Sequence, residues 1–276
     1  MNFHTFAMTG IPRNARNVAI SALLLMAALL PVEAGARETG FLNRTIKSGG
    51  VTYRYQVYVP AEWSAKQRWP VILSLHGAGE RGDDGLFSSE LGLGRAIRRN
   101  ARAFPFVAVF PQCPESATWA DKHIQEMAMA ALESAIREFR GDRARVYITG
   151  LSMGGYGTWE MAMRYPRFFA AIAPVCGGLR APNGYPEIFS KQVNLNTADP
   201  YAEAARKIGA IPVWIFHGAR DPVVPVDESR KMAAALKSAG APVRYTEYPD
   251  ASHNSWDRAY AEPELVKWLL AQRRKP

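Results

Sequence analysis

The chain has 276 residues, 48% hydrophobic and 11% aromatic, a composition that excludes a disordered polymer. Lysine and arginine (34) outnumber aspartate and glutamate (25), giving a formal charge of +9 at pH 7. Acidic residues are nonetheless interspersed almost everywhere, with no basic tail or recognition motif, so no nucleic-acid partner is expected and the charge serves solubility or weak adsorption to acidic polymers.

In chain order, Arg13 and Arg16 precede an uncharged apolar run over 18–30, and Ala34, Gly35 and Ala36 then supply small residues. That order predicts a secretory signal peptide over 1–36, cut near Ala36, with a run too short for a stable membrane anchor. The expected location is periplasmic or extracellular. No cysteine lies near the cut and the two arginines are not adjacent, against a lipoprotein and a twin-arginine signal. The remainder, 37–276, suits a single α/β domain.

Residues 40–47 and 51–59, joined through Gly49 and Gly50, read as an antiparallel hairpin rich in β-branched and aromatic residues. Beyond Pro60, short apolar runs at 71–75, 106–110, 146–149, 170–175 and 213–216 alternate with amphipathic stretches. Continuous apolar strands are what a parallel sheet covered on both faces requires. A last run, 243–248, alternates as an edge strand does. Ile124, Met127, Ala131, Leu132, Ala135, Ile136 and Phe139 trace one helical stripe; Met232, Leu236 and Ala239 trace another, closed by Gly240. Asp199 to Ile208 reads as a further helix, and Pro263 opens the last one. Arg95, Arg98, Arg99 and Arg102 recur at helical spacing and read as a solvated face. Cys113 and Cys176 read as small buried hydrophobes, although export allows a disulfide. The fold class is α/β, mostly parallel, with helices on both faces.

The 146–149 run leads directly into Gly150, Leu151, Ser152, Met153 and Gly154, and a helical stretch follows. This is G-x-S-x-G between a buried strand and a helix. Gly150 and Gly154 lack side chains, so strand and helix can close around a turn that lifts the serine hydroxyl clear. A serine needs a base, and the base needs an acid. Of the five histidines, His4 lies in the signal, His76 and His217 end strands before glycine, and His123 precedes the serine. His253 lies just past the last strand and is the expected base. Asp221 follows the 213–216 strand and is the expected acid. Asp227 competes but stands where a helix N-cap is expected, and Asp250 is too near the histidine's own loop. The oxyanion donors are expected at the amides of Met153 and Ala78, with Gly79 next in line.

HGAGERG at 76–82, GLSMGG at 150–155, HGARDPVVP at 217–225 and SHNSW at 252–256, in that order, resemble the α/β-hydrolase superfamily over nearly the whole mature chain. PQCP at 111–114, APVCGG at 173–178 and SWDRAY at 255–260 resemble its secreted esterase and "predicted peptidase" branch, close to polyhydroxybutyrate-depolymerase-like and dienelactone-hydrolase-like proteins. The resemblance implies the roles assigned above, with no cofactor and no metal. Serine replaces the nucleophilic cysteine of true dienelactone hydrolases.

The stretch 177–197, where this fold usually grows a lid, is short, which predicts a small lid or none and an open cleft. Trp119, Tyr185, Phe189 and Trp256 are candidates to line it, ordinary core packing being the alternative for each. An open cleft suits a small-molecule ester with a short acyl chain, or a polymer-linked ester. A serine peptidase of the prolyl-oligopeptidase type is the second reading, and a non-catalytic binding protein with a relic triad the third.

Overall fold

The computed structural model describes Met1 and residues 38–274. The segment read as a secretory signal, with its cut at Ala36, lies outside the described residues. By internal contacts the chain divides into Met1–Glu38 and Thr39–Pro276. All described elements belong to the second unit.

β1 (Gly40–Ser48) and β2 (Val51–Val59) pair antiparallel from Gly40 opposite Val59 to Ser48 opposite Val51. Gly49 and Gly50 turn the chain with φ of 56° and 82°, values a two-residue hairpin turn needs and glycine adopts without a Cβ clash. Six strands follow: β3 (Trp69–Leu75), β4 (Val107–Pro111), β5 (Gly141–Leu151), β6 (Ala171–Val175), β7 (Val213–Gly218) and β8 (Val243–Tyr248). They join one sheet of order β1-β2-β4-β3-β5-β6-β7-β8, parallel from β4 onward, with β2 antiparallel to β4. β3, β4, β6 and β7 are buried along their whole length, as two covered faces demand. The edge strand β8 is half-buried over most of its length, without clean alternation.

Helices α1 (Gly92–Arg99), α6 (Trp256–Ala261) and α7 (Pro263–Ala271) contribute Ile97, Tyr260 and Trp268 to the core on one face. Helices α2 (Lys122–Glu138), α3 (Met153–Arg164), α4 (Pro200–Ile208) and α5 (Asp227–Ser238) contribute Ala131, Trp159, Tyr201 and Met232 to the other. The basic face sits on α1, but Arg102 lies beyond its end, and the Arg98 guanidinium covers the Phe41 ring at 4.0 Å. Asp227 is the first residue of α5, one place past the N-cap position expected, and its exposed carboxylate pairs with Arg230. Both cysteines are buried free thiols.

Strand order positions the site. The chain steps from β3 to β4 on one side, then returns to β5 on the other. The turns leaving β3 and β5 therefore diverge from adjacent strand ends, with Leu75 in register with Gly150. In open α/β sheets such a switch point, at the carboxyl ends of the strands, is where functional groups gather.

Candidate active site

Ser152 is the single residue between β5 and α3, at φ 52° and ψ −119°. A serine pays for that conformation with strain, which the surrounding packing must hold. A Cβ on Gly150 would overlap the Gly154 carbonyl, and one on Gly154 would overlap the Leu75 carbonyl. Both positions therefore require glycine. The Ser152 amide donates to Val175 O at 3.0 Å, fixing the turn against β6.

The loop after β8 carries His253. Its Nε2 lies 3.0 Å from Ser152 Oγ, and its Nδ1 lies 2.7 Å from Asp221 Oδ2. The Asp221 side chain is fully buried and that of His253 is 20% exposed, so the carboxylate is hidden while the imidazole opens to solvent. Burial alone raises the Asp221 carboxyl. Hydrogen bonds from His217 and His253, with the Val223 amide, outweigh that and hold it well below the usual carboxylate range. Asp227, by contrast, forms its ion pair at the surface, away from this chain of bonds.

After β3, Gly77 leads into a single 3-10 turn, Ala78–Glu80. A Cβ added to Gly77 would lie 3.7 Å from the Ser152 Cβ, so this turn abuts Ser152. Ala78 and Met153 each begin a helical turn, which leaves their amides without an acceptor within that turn. Gly79 follows, exposed. The buried Glu80 carboxylate accepts from Gly77 N at 2.9 Å, and Arg81 Nε donates to Ala78 O at 3.1 Å. His76 anchors the loop from below: Cys113 N donates to its Nε2 at 2.9 Å, leaving Nδ1–H for Gly77 O. Burial lowers His76 to about 4, so it stays neutral and structural.

The four aromatic candidates divide. Trp119 does not line a cleft: it is fully buried, donates from Nε1 to His76 O at 3.0 Å, and packs against Gly157. Its indole folds inward against His76. Trp256 sets its ring at 90° to His253, centroids 5.4 Å apart. Tyr185 is exposed and Phe189 half-buried. Both belong to a strap between β6 and α4 that contains no helix or strand. The strap is tied to the Asp221 turn through Asn183, which bonds Val223 O and Pro222 O. It is tied to the turn after β3 through Glu187, 3.5 Å from Arg81. The strap is thus tied both to the Asp221 turn and to the Ala78–Glu80 turn.

Sequence reasoning missed two neighbours of Asp221. His217 donates to it from the end of β7, and Cys176 places Sγ within 4.8 Å of donor atoms of Asp221 and His253. That trio does not fit a metal. Burial pushes the Cys176 thiol up to about 12, and His253 Nδ1 is spent on Asp221. The fixed spacing in HGARD, which sets His217 four residues before the acid, was the available signal.

A family model described as "Prolyl oligopeptidase family" matches residues 117–273, which include Ser152, Asp221 and His253. The chain belongs to the prolyl oligopeptidase family. Its fold is that of the α/β-hydrolases. This prolyl oligopeptidase-family chain is also similar to a solved thermostable esterase, at 32% identity and TM-score 0.70, over 85% of this chain and 63% of that one. It is 27% identical to an uncharacterized secreted protein of Arthroderma benhamiae, over 76% of this chain and 24% of that protein. It is 22% identical to the "Probable feruloyl esterase C" of Aspergillus niger, over 88% of this chain and 84% of that one. The chain thus spans about a quarter of the secreted relative and less than two thirds of the thermostable esterase.

Proposed function

We propose that the chain is a serine carboxylic ester hydrolase working through an acyl-enzyme, with Ser152 as nucleophile, His253 as base and Asp221 as orienting acid. The observation that carries this reading is the unbroken chain Ser152 Oγ to His253 Nε2 at 3.0 Å and His253 Nδ1 to Asp221 Oδ2 at 2.7 Å, set on a strand-to-helix elbow. Ser152 Oγ adds to the ester carbonyl as its proton passes to His253 Nε2. The amides of Met153 and Ala78, with Gly79 beside them, meet the oxyanion, each donor worth about a hundred- to thousand-fold in rate. His253 then protonates the departing alkoxide, and water repeats the sequence on the acyl-serine.

The substrate is a small-molecule or polymer-linked ester with a short acyl group. The strap over 177–197 contains no helix or strand that would build a cap, and a cavity of about 650 Å³ lies between α4 and α5 beside Arg180, Tyr201 and Lys231. Export of a catalytic domain over 37–276 belongs to the same reading, and the likeness to a secreted protein supports the export. Among the described residues no helix is long and apolar enough to cross a membrane.

Hydrolysis of p-nitrophenyl esters from acetate to palmitate, by wild type and Ser152→Ala, tests this reading. Turnover that depends on Ser152 and falls with chain length is expected. No turnover on any ester by the folded protein overturns it and favours the second reading, a serine peptidase, which the family match supports.

A further inference from the structure

Asp221 Oδ2 has a second imidazole partner. His217, at the end of β7, has no exposed surface, and its Nε2 lies 3.1 Å from Asp221 Oδ2 and 3.0 Å from Val224 O. A carboxylate and a peptide carbonyl only accept, so Nε2 carries the proton. Nδ1 lies 2.7 Å from Ser229 Oγ and, in the neutral ring, accepts from that hydroxyl. One carboxylate oxygen is thus shared between two imidazole N–H donors, the partly exposed His253 and the buried His217. The other oxygen, Oδ1, receives the amides of Val223 and Val224 at 2.8 and 3.0 Å.

Val224 closes the arrangement. Its N–H holds Oδ1, its carbonyl holds His217, and His217 holds Oδ2. Turning the carboxylate about its Cβ–Cγ bond would break bonds on both oxygens at once. The charged and titratable neighbours are otherwise engaged. Glu247, opposite His217 on β8, is held by Arg230 and Tyr245. Glu228, beside Ser229 on α5, accepts from Leu179 N, Arg180 N and Tyr201. Cys176 at the end of β6 and Tyr156 on α3 stay protonated, both thiol and phenol being raised by burial.

We propose that His217 is a positioning residue for ester hydrolysis: it locks the Asp221 carboxylate in the orientation that His253 needs and, by drawing charge from Oδ2, sets the basicity of His253. This rests on the serine-hydrolase reading above. Without the His217 N–H, Oδ2 keeps one donor and more of its charge, which stabilises the protonated His253. The base then accepts its proton at higher pH, and a carboxylate free to turn orients it less well.

The test is the rate at which a fluorophosphonate labels Ser152, followed against pH with p-nitrophenyl acetate hydrolysis alongside. Labelling forms a phosphorus–oxygen bond and releases fluoride, and it reports activation of the serine whatever the natural substrate. His217→Phe is expected to slow both rates about tenfold, the size of one hydrogen bond to a charged group. It should also raise the acid limb of both profiles by about half a pH unit or more, with KM changed less than twofold. His217→Gln, which keeps an N–H donor, should recover most of the rate and return the limb. Where His217→Phe fails to fold, Ser229→Ala serves, since loss of the hydroxyl donor weakens the Nε2–H bond and shifts the limb the same way, by less. A variant that melts earlier but keeps the wild-type limb and rate per folded molecule overturns the proposal. A wild-type Ser152 that is not labelled overturns instead the serine-hydrolase reading beneath it.

Discussion

Replacing Asp221 by Asn keeps the shape of the acid but turns an N–H₂ group or a weaker carbonyl toward His253 Nδ1, which needs a charged acceptor. Asp221→Asn is therefore expected to fold and to lose up to about ten-thousand-fold in kcat, as loss of a triad aspartate does elsewhere. Asp227→Asn breaks only a surface pair with Arg230, whose partners are 50% and 61% exposed, and should leave the rate within a factor of two. Steady-state kinetics on p-nitrophenyl acetate, with circular dichroism to confirm folding, separates the two; an active Asp221→Asn beside an inactive Asp227→Asn would reverse the assignment. That Ser152, Asp221 and His253 come together was legible because each sits in a short string just past a strand. The burial of Trp119 was not, because nothing local in the sequence shows that its indole turns inward onto Gly157 and His76. His217 was legible only as a structural histidine, since its link to Asp221 depends on how the 217–224 turn folds back.

Elements were readable in kind and less so at their ends. β5 extends back to Gly141, well before its apolar run, because pairing with Trp69 continues after the hydrophobic signal stops. Helix α3 starts at Met153, earlier than its apolar pattern suggested, because the elbow leaves no room for a loop. The same helix holds the strap. Glu160, 1% exposed, accepts from Ser190 Oγ and, at 3.1 Å, from Lys191 N. Burial pushes its carboxyl from 4.5 up to about 7, although hydrogen bonds from Ser190, Lys191 and Gln192 pull the other way. The folded state therefore binds this proton more tightly than the unfolded chain does. Its contribution to stability is complete below pH 4.5 and is lost as pH rises through about 7. Melting temperatures of wild type and Glu160→Gln across that window should diverge in one direction, the wild type losing ground as pH rises. A difference independent of pH would mean that Glu160 does not titrate there.

At the scale of the molecule, the order of strands was the part the sequence could not supply. Each apolar run announces a strand, but nothing local says that β4 inserts between β2 and β3. That order decides whether Cys113 and Cys176 are bridged. Cys113 lies two residues past β4 and Cys176 one past β6, and the sheet runs β4-β3-β5-β6. Three inter-strand spacings separate their strands, about 14 Å, against the roughly 7 Å between Cα atoms that a disulfide can span. Each sulfur is instead packed at the carboxyl end of its own strand, Cys113 under the His76 loop and Cys176 against Asp221 and His253. Both thiols are pushed up to about 12 by burial, so neither offers a thiolate to an oxidant or a reagent. Protein purified under oxidising conditions is expected to melt at the same temperature with and without dithiothreitol. Ellman's reagent should find no thiol in the native protein and two after guanidinium unfolding. A melting temperature lowered by reductant, or fewer than two thiols on unfolding, would mean that the strands carrying them are not three spacings apart, and the topology that assembles Ser152, His253 and Asp221 would fall with it.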